Sequence, residues 1–380
     1  MSDTIEHIDV PHPGFFIREE LEAREWNQRD LAYILGTPEQ AVNLIIAGKR
    51  GISPEMAKAL GEAFEVHPDF FANLQKAYDM ARARDPDPGV GKRARLQSVY
   101  PVREMIKRCW FTDTDADMLE VQMSRFFKVA NTNDLPHVRM AHAAKKTHYD
   151  DVPPSQLAWL FRVRQIAEAM PSVPYSEKKL REALLRLKAF LIDPEEARHV
   201  PRLLMEAGVR LVIVEGLSGG KIDGVCFWLD AQSPVIGITL LHDRIDNFWF
   251  VLRHEIEHVL RRHGMEVEVI DIDLGKSMMG HNTPPVESDE EGLANAAAAE
   301  FCVPQKDMTS FIARKTPFFA ERDILGFAKR VQVHPGIIVG QIQHRTGRWD
   351  LLRKHLVKIR QYVLPGAMVD GWGQVAPVSL

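Results

Sequence analysis

The stretch Arg253-His254-Glu255-Ile256-Glu257-His258 constrains this chain more than any other. On a helix, residues four apart lie on one face, one turn above the other. His254 and His258 would therefore stand side by side, with Glu255 one step round the same helix. Two adjacent imidazoles can hold one metal ion, and a neighbouring carboxylate can take a proton from water beside it. This is the His-Glu-x-x-His arrangement of zinc hydrolases. It requires a helix here and a third ligand from elsewhere in the chain.

Zinc in a hydrolase usually takes three protein ligands and leaves one position for water. A third histidine at the short spacing that some zinc peptidases use would fall on Gly264, and His263 is one residue out of register. The other common arrangement uses a glutamate from a later helix. Glu290 and Glu291 open such a helix, 33 residues beyond His258 (291 − 258), and either could face back. Zinc held there would acidify its water and polarise a scissile carbonyl. Glu255 would act as general base and return the proton to the leaving amine. His281 lies in the loop before Glu291 and is a candidate to line the same cleft. His137, His142 and His148 lack acidic neighbours at ligand spacing, so no second metal is expected there.

The surrounding pattern divides the chain. Residues 1–82 carry apolar residues at helical spacing in several short segments, punctuated by Gly36, Gly48, Gly51 and Pro68. Thr37 before Pro38 and Ser53 before Pro54 read as helix N-caps with proline at the first helical position. Residues 83–96, rich in Pro, Gly and charge, read as a linker. Residues 97–200 read as a helical connecting region. From 201 to 365 the pattern changes to three short β-branched runs (208–217, 225–230 and 234–240), the His-Glu-x-x-His helix over 246–263, an alanine-rich helix over 289–304 and further helices. Residues 366–380 read as a loose tail.

No run of 18 apolar residues exists, so no membrane span is expected. The first residues lack a basic segment followed by an apolar core, which argues against a secretory signal. Cys109, Cys226 and Cys302 are scattered and odd in number, as in a chain that works in a reducing cytoplasm.

Residues 27–64 have the spacing of a helix-turn-helix: one helix over Gln28–Leu35, a turn at Gly36, a second helix over Pro38–Ala47. In such folds the second helix enters the major groove and its first side chains meet base edges. Gln40 and Asn43 have the chemistry to read adenine. Lys49, Arg50 and Gln28 are placed for phosphate; Lys92, Arg93 and Arg95 could add to them. Against this, residues 1–80 hold 7 Lys and Arg but 14 Asp and Glu, a net of −7. Phosphate neutralisation supplies much of DNA affinity. Glu39 occupies a base-reading position, and Leu44 is apolar on the face expected to be polar.

Two resemblances add to this reading. Strands, then His254-Glu255-x-x-His258, then Glu291-x-x-Ala294-Asn295-x-x-Ala298 and Pro304, resemble the ImmA/IrrE metallopeptidase family over roughly residues 200–345. The resemblance implies zinc held by His254, His258 and Glu291, with Glu255 catalytic, and prefers Glu291 to Glu290. Glu257 departs from the small residue usual in that family, and Ala297 from the usual aromatic. Glu257 would place negative charge beside the metal. Separately, His12-Pro13-Gly14, the Leu-Ala and Leu-Gly pairs, "GKRGIS" and "FFANLQ" resemble the HigA-type antitoxins of the Cro/repressor helix-turn-helix class over residues 10–76. That resemblance implies a repressor that binds operator DNA as a dimer and, in many cases, a toxin.

The expected fold is mainly α. It comprises an N-terminal all-α helix-turn-helix bundle, a helical middle region, and a small α+β, zincin-like metallopeptidase domain with a short sheet. The expected protein is a cytoplasmic, homodimeric DNA-binding regulator or antitoxin fused to a Zn2+-dependent endopeptidase, cleaving a partner protein such as a repressor or toxin. The alternative is a non-enzymatic repressor-antitoxin with structural or sensory zinc. Glu255 discriminates, because a structural site has no need of a carboxylate beside the open position.

Overall fold

A computed structural model describes residues 10–135, 152–265, 269–272 and 289–377. His137, His142, His148 and His281 lie outside the described residues. The chain divides into two compact units, residues 1–87 and 88–380.

The first unit is a bundle of five helices: α1 (Pro13–Ala23), α2 (Gln28–Ile34), α3 (Glu39–Ile46), α4 (Pro54–Phe64) and α5 (Asp69–Arg82). Ile17, Leu21, Leu31, Val42, Ile45, Leu60, Phe64 and Phe71 meet in its core. Each buried side chain of this kind stabilises by about 1.5–3 kcal/mol. His12-Pro13-Gly14 is a packing device. The His12 ring accepts the Gly14 N–H at 2.9 Å, capping α1. A Cβ on Gly14 would overlap the Ile45 carbonyl and stand 2.9 Å from the Ile46 Cα, so only glycine lets α1 rest on the end of α3. Asn27 and Asp30 form a reciprocal capping box on α2. Ser53 caps α4 as expected, through Met56 N–H.

Thr37 does not cap α3. Pro38 stands outside the helix with extended backbone, and the helix begins one residue later, at Glu39. The Thr37 N–H instead closes the turn onto the Ala32 carbonyl at 3.0 Å.

The second unit is a three-layer structure built on a five-stranded sheet of order β4-β2-β3-β1-β5. The strands are β1 (Arg210–Val214), β2 (Ile222–Trp228), β3 (Pro234–Ile238), β4 (Val269–Ile272) and β5 (Met368–Asp370). β1 runs parallel to β3 and β5, and β2 antiparallel to β3 and β4. Successive side chains alternate between faces. Val212, Val214, Val225, Phe227 and Val235 face one layer, which contains α6 (Gly89–Val99), α7 (Val102–Lys107), α8 (Ala116–Phe126) and α9 (Pro154–Ala169). Leu211, Ile213, Cys226, Trp228, Ile236 and Ile238 face the other. That layer holds α10 (Glu177–Ala189), α11 (Val200–Glu206), α12 (Ile245–Leu260), α13 (Asp289–Cys302), α14 (Gln305–Lys315), α15 (Glu321–Val331), α16 (Pro335–Thr346) and α17 (Arg360–Val363). Both faces are covered, which is why the strands read as continuous apolar runs.

Three sequence expectations are corrected here. Residues 97–200 are no mere connector, because α9 carries Leu157, Trp159, Val163 and Ile166 into the core under the sheet. The linker over 83–96 ends early: α6 begins at Gly89, and Leu96 is buried. Of the cations expected to meet phosphate, Lys92 pairs with Asp117 and Arg95 with Glu120 at 2.6 Å, and Arg93 also has a partner, so these three are not held ready for phosphate. The described part of the tail, residues 366–377, is fastened as well. β5 pairs with β1, and the Asp370 carboxylate, fully buried, accepts Arg162 Nε at 2.7 Å and Trp110 Nε1 at 3.1 Å. A buried guanidinium requires such a partner, and apolar periodicity carries no trace of it.

Candidate metal centre and recognition helices

The helix α12 is buried along most of its length, with Phe248, Trp249, Leu252, Ile256 and Val259 in the core. Its His254, Glu255 and His258 are fully buried. α13 packs against it through the small side chains Ala294, Ala298 and Cys302, all buried. That spacing of four residues puts small side chains on one face of the helix, and small residues let two helices approach closely. Glu291 lies one turn before Ala294 and Asn295, on the same face.

These elements bring His254, His258 and Glu291 together, with one donor atom of each within 4.8 Å of the others. Nε2 of His254 stands 3.3 Å from Glu291 Oε2, Nε2 of His258 stands 3.6 Å from Oε1, and the two Nε2 atoms are 2.9 Å apart. Ligand atoms about 2.0–2.1 Å from one tetrahedral zinc ion would lie roughly 3.3 Å from each other. The donor set and its spacing therefore fit such an ion.

The outer nitrogens of both imidazoles are engaged. His254 Nδ1 meets Asn295 Oδ1 at 3.0 Å. An amide oxygen only accepts, so Nδ1 carries the proton and the Nε2 lone pair faces the site. His258 Nδ1 meets His263 Nδ1 at 2.9 Å, and His263 Nε2 lies 3.6 Å from Glu290 Oε1. Glu291 is thus at the centre and Glu290 outside it, beside His263. Gly264 cannot carry a third ligand: its φ is +76° and a Cβ would stand 2.5 Å from the Cys226 carbonyl oxygen.

Glu255 lies against β2. A Cβ on Gly224 would overlap Glu255 Oε1 and stand 2.9 Å from its Cδ, so the missing side chain makes the space the carboxyl occupies. Sequence reasoning passed over Gly224, although a glycine inside a strand marks close approach of another group. It also passed over the supporting role of His263. Glu257 departs from its expected effect. It bonds Arg253 at 2.8 Å and Arg261 at 2.6 Å, so its charge is neutralised locally. Burial pushes its pKa up, but the two guanidinium partners outweigh that and hold it below the usual carboxylate value.

In the first unit, Gln28 opens α2 and Gln40 lies in the first turn of α3; both are exposed. Asn43, one turn beyond Gln40, is half-buried, and its Oδ1 is enclosed. Lys49 and Arg50 are exposed just past α3, where both backbone N–H groups bond the Leu44 carbonyl, at 2.8 and 3.1 Å. Leu44 itself is half-buried. Glu39 lies 3.3 Å from Arg29 Nε, a pairing that offsets the acidic charge at the start of α3. Tyr33 on α2, not singled out from sequence, is 88% exposed.

Five helices with this turn and these exposed ends define a helix-turn-helix module. The helix-turn-helix family profile matches residues 17–71. Among curated proteins, virulence-associated protein A′ of Dichelobacter nodosus is 40% identical over 73 residues, 19% of this chain and 64% of that protein. This chain thus spans less than two thirds of that relative's length. Virulence-associated protein A of the same organism is 36% identical over 98 residues, 25% of this chain and 93% of the relative. The uncharacterized HTH-type transcriptional regulator YddM of Escherichia coli K12 is 30% identical over 73 residues, 19% of this chain and 78% of the relative. Through this N-terminal part, the chain belongs to the helix-turn-helix family. Similar solved structures include a HigA-family addiction module antidote protein from Coxiella burnetii, at 36% identity (19% of this chain, 79% of that one, TM-score 0.19). PA4674 of Pseudomonas aeruginosa, solved with its operator DNA, is another, at 37% identity (19% and 80%, TM-score 0.19). No described helix is long and apolar enough to cross a membrane.

Proposed function

We propose that this protein is a cytoplasmic DNA-binding regulator of the antitoxin type that also carries a zinc-dependent endopeptidase. The peptidase reading is carried by one observation, the convergence of His254, His258 and Glu291 beside a buried Glu255. The bound ion would supply Lewis acidity toward water and the scissile carbonyl. The chain's own residues do the rest. Asn295 and His263 hold the imidazoles in orientation, as outer partners of metal-ligating histidines do. Gly224 leaves the space in which Glu255 can hold and return a proton. The carboxylate argues against a purely structural or sensory metal, the alternative in which the chain would act on a toxin only by contact.

DNA recognition rests on the family match and on Gln28, Gln40, Lys49 and Arg50 being exposed. The net negative charge of the unit predicts modest non-specific affinity and a shallow salt dependence. A homodimer would place two α3 helices on successive half-sites. Tethering a peptidase to a DNA-bound module raises its effective concentration near neighbouring DNA-bound proteins. The substrate class proposed is accordingly a repressor or toxin.

The test is metal content of the purified chain beside His258→Ala, Glu291→Ala and Glu255→Gln. About one zinc per chain is expected for the native protein and Glu255→Gln, and little for the other two. Peptide-library cleavage read by mass spectrometry should vanish in all three variants. Metal that persists in His258→Ala and Glu291→Ala would refute the ligand assignment. Cleavage that persists in Glu255→Gln would refute the base.

A further inference from the structure

We propose that a cavity of about 150 Å³ in the second unit is a binding site for a small organic anion carrying a carboxylate or phosphate. The cavity opens where β1, β3 and β5, which run parallel, reach their carboxyl ends. Glu215 follows β1, Thr239 and Leu240 follow β3, and Trp372 follows β5; Lys221 and Arg360 complete the wall. Sheets with parallel strands collect ligands just beyond those ends.

The backbone there is unusual. Ten described non-glycine residues have positive φ, and six of them stand at helix C-termini: Glu25, Glu65, Cys109, Lys128, Arg262 and Gln332. Left-handed residues are the ordinary way for a helix to stop. Four remain, and three of those line this one cavity: Lys221 at φ +41°, Leu240 at +51° and Trp372 at +49°. Such conformations persist where the surrounding structure holds them, and they cluster at ligand-binding sites.

The charge is available for a ligand. The Arg360 guanidinium stacks over the Trp372 ring, 4.4 Å from its centroid, and forms no hydrogen bond or ion pair among the described residues. The ammonium of Lys221, exposed at the wall, has no ion pair among them either. Glu215 is the opposing charge, and its carboxylate accepts the Trp372 backbone N–H at 2.9 Å. Arg108 donates to the Glu215 and Gly216 carbonyls and braces that wall. The side chains on the wall thus carry two cations and one engaged anion, beside an aromatic face. An arginine fork matches carboxylate and phosphate oxygens. The volume of about 150 Å³ has room for an ion the size of pyruvate or phosphate. None of this depends on the peptidase reading.

The test is calorimetric titration of the full chain with pyruvate, with inorganic phosphate and with acetate, and with acetamide as an uncharged control. One anion per chain should bind and acetamide should not. Arg360→Gln and Lys221→Gln, each checked for native circular dichroism, should weaken binding about tenfold or more, while His258→Ala leaves it unchanged. The proposal is overturned if no anion binds at millimolar concentration, if both cavity variants bind like the native chain, or if His258→Ala abolishes the signal. The last result would place the ion at the metal centre.

Discussion

Replacing Gly224 by alanine tests the link between the sheet and the chemistry. The new methyl carbon would overlap Glu255 Oε1, stand 2.9 Å from Cδ and 3.2 Å from Cγ, where ordinary contact begins at 3.4 Å. The carboxyl carbon must retreat by about 0.5 Å (3.4 − 2.9), and the oxygen, nearer still, by more. A displacement near 1 Å at a reacting group costs roughly 100-fold in rate. The overpacking itself should destabilise by about 1–3 kcal/mol. The three atoms nearest the new methyl all belong to Glu255, not to His254, His258 or Glu291, so metal content should stay near the native value. The assay is zinc content by mass spectrometry alongside peptide-library cleavage. Full zinc with about 100-fold slower cleavage is expected. Native cleavage rates in Gly224→Ala would refute the reasoning, because the carboxyl could not then be working from the position the strand holds for it.

Other expectations follow from the same geometry. His263→Ala removes the partner of His258 Nδ1 and should weaken zinc about 10–100-fold in a chelator competition; an unchanged affinity would mean that the contact orients nothing. Gln40→Ala should broaden the set of operator sequences bound in a selection assay, and identical footprints would remove Gln40 from base reading. Burial pushes the Cys302 thiol up to about 12. A group whose folded pKa is raised contributes stability that is full below its unfolded value and lost as pH rises toward the folded one. Stability should therefore fall between pH 9 and 12, by on the order of 2 kcal/mol at pH 10.5, and Cys302→Ala should flatten that limb in chemical denaturation.

Local chemistry was legible from residues alone. The four-residue spacing of His254 and His258 follows from helix pitch, and the run of apolar side chains around them required a helix. The positions of α2 and α3 followed from Gly36, Gly48 and the periodicity between them. Those signals lie within a few turns of chain, where backbone geometry alone relates the residues.

What tertiary structure decided involves partners far apart in sequence. Glu291 rather than Glu290 reaches the imidazoles because Ala294 and Ala298 seat α13 on α12 and so set its rotation. Gly224 matters because β2 runs past Glu255, 31 residues later (255 − 224). Asp370 reads from sequence as part of a loose tail, yet in the fold it is the buried partner of Arg162, 208 residues away. The cavity wall is drawn from segments after three strands and before a fourth. Packing and charge pairing join such residues, and neither leaves a period in the sequence.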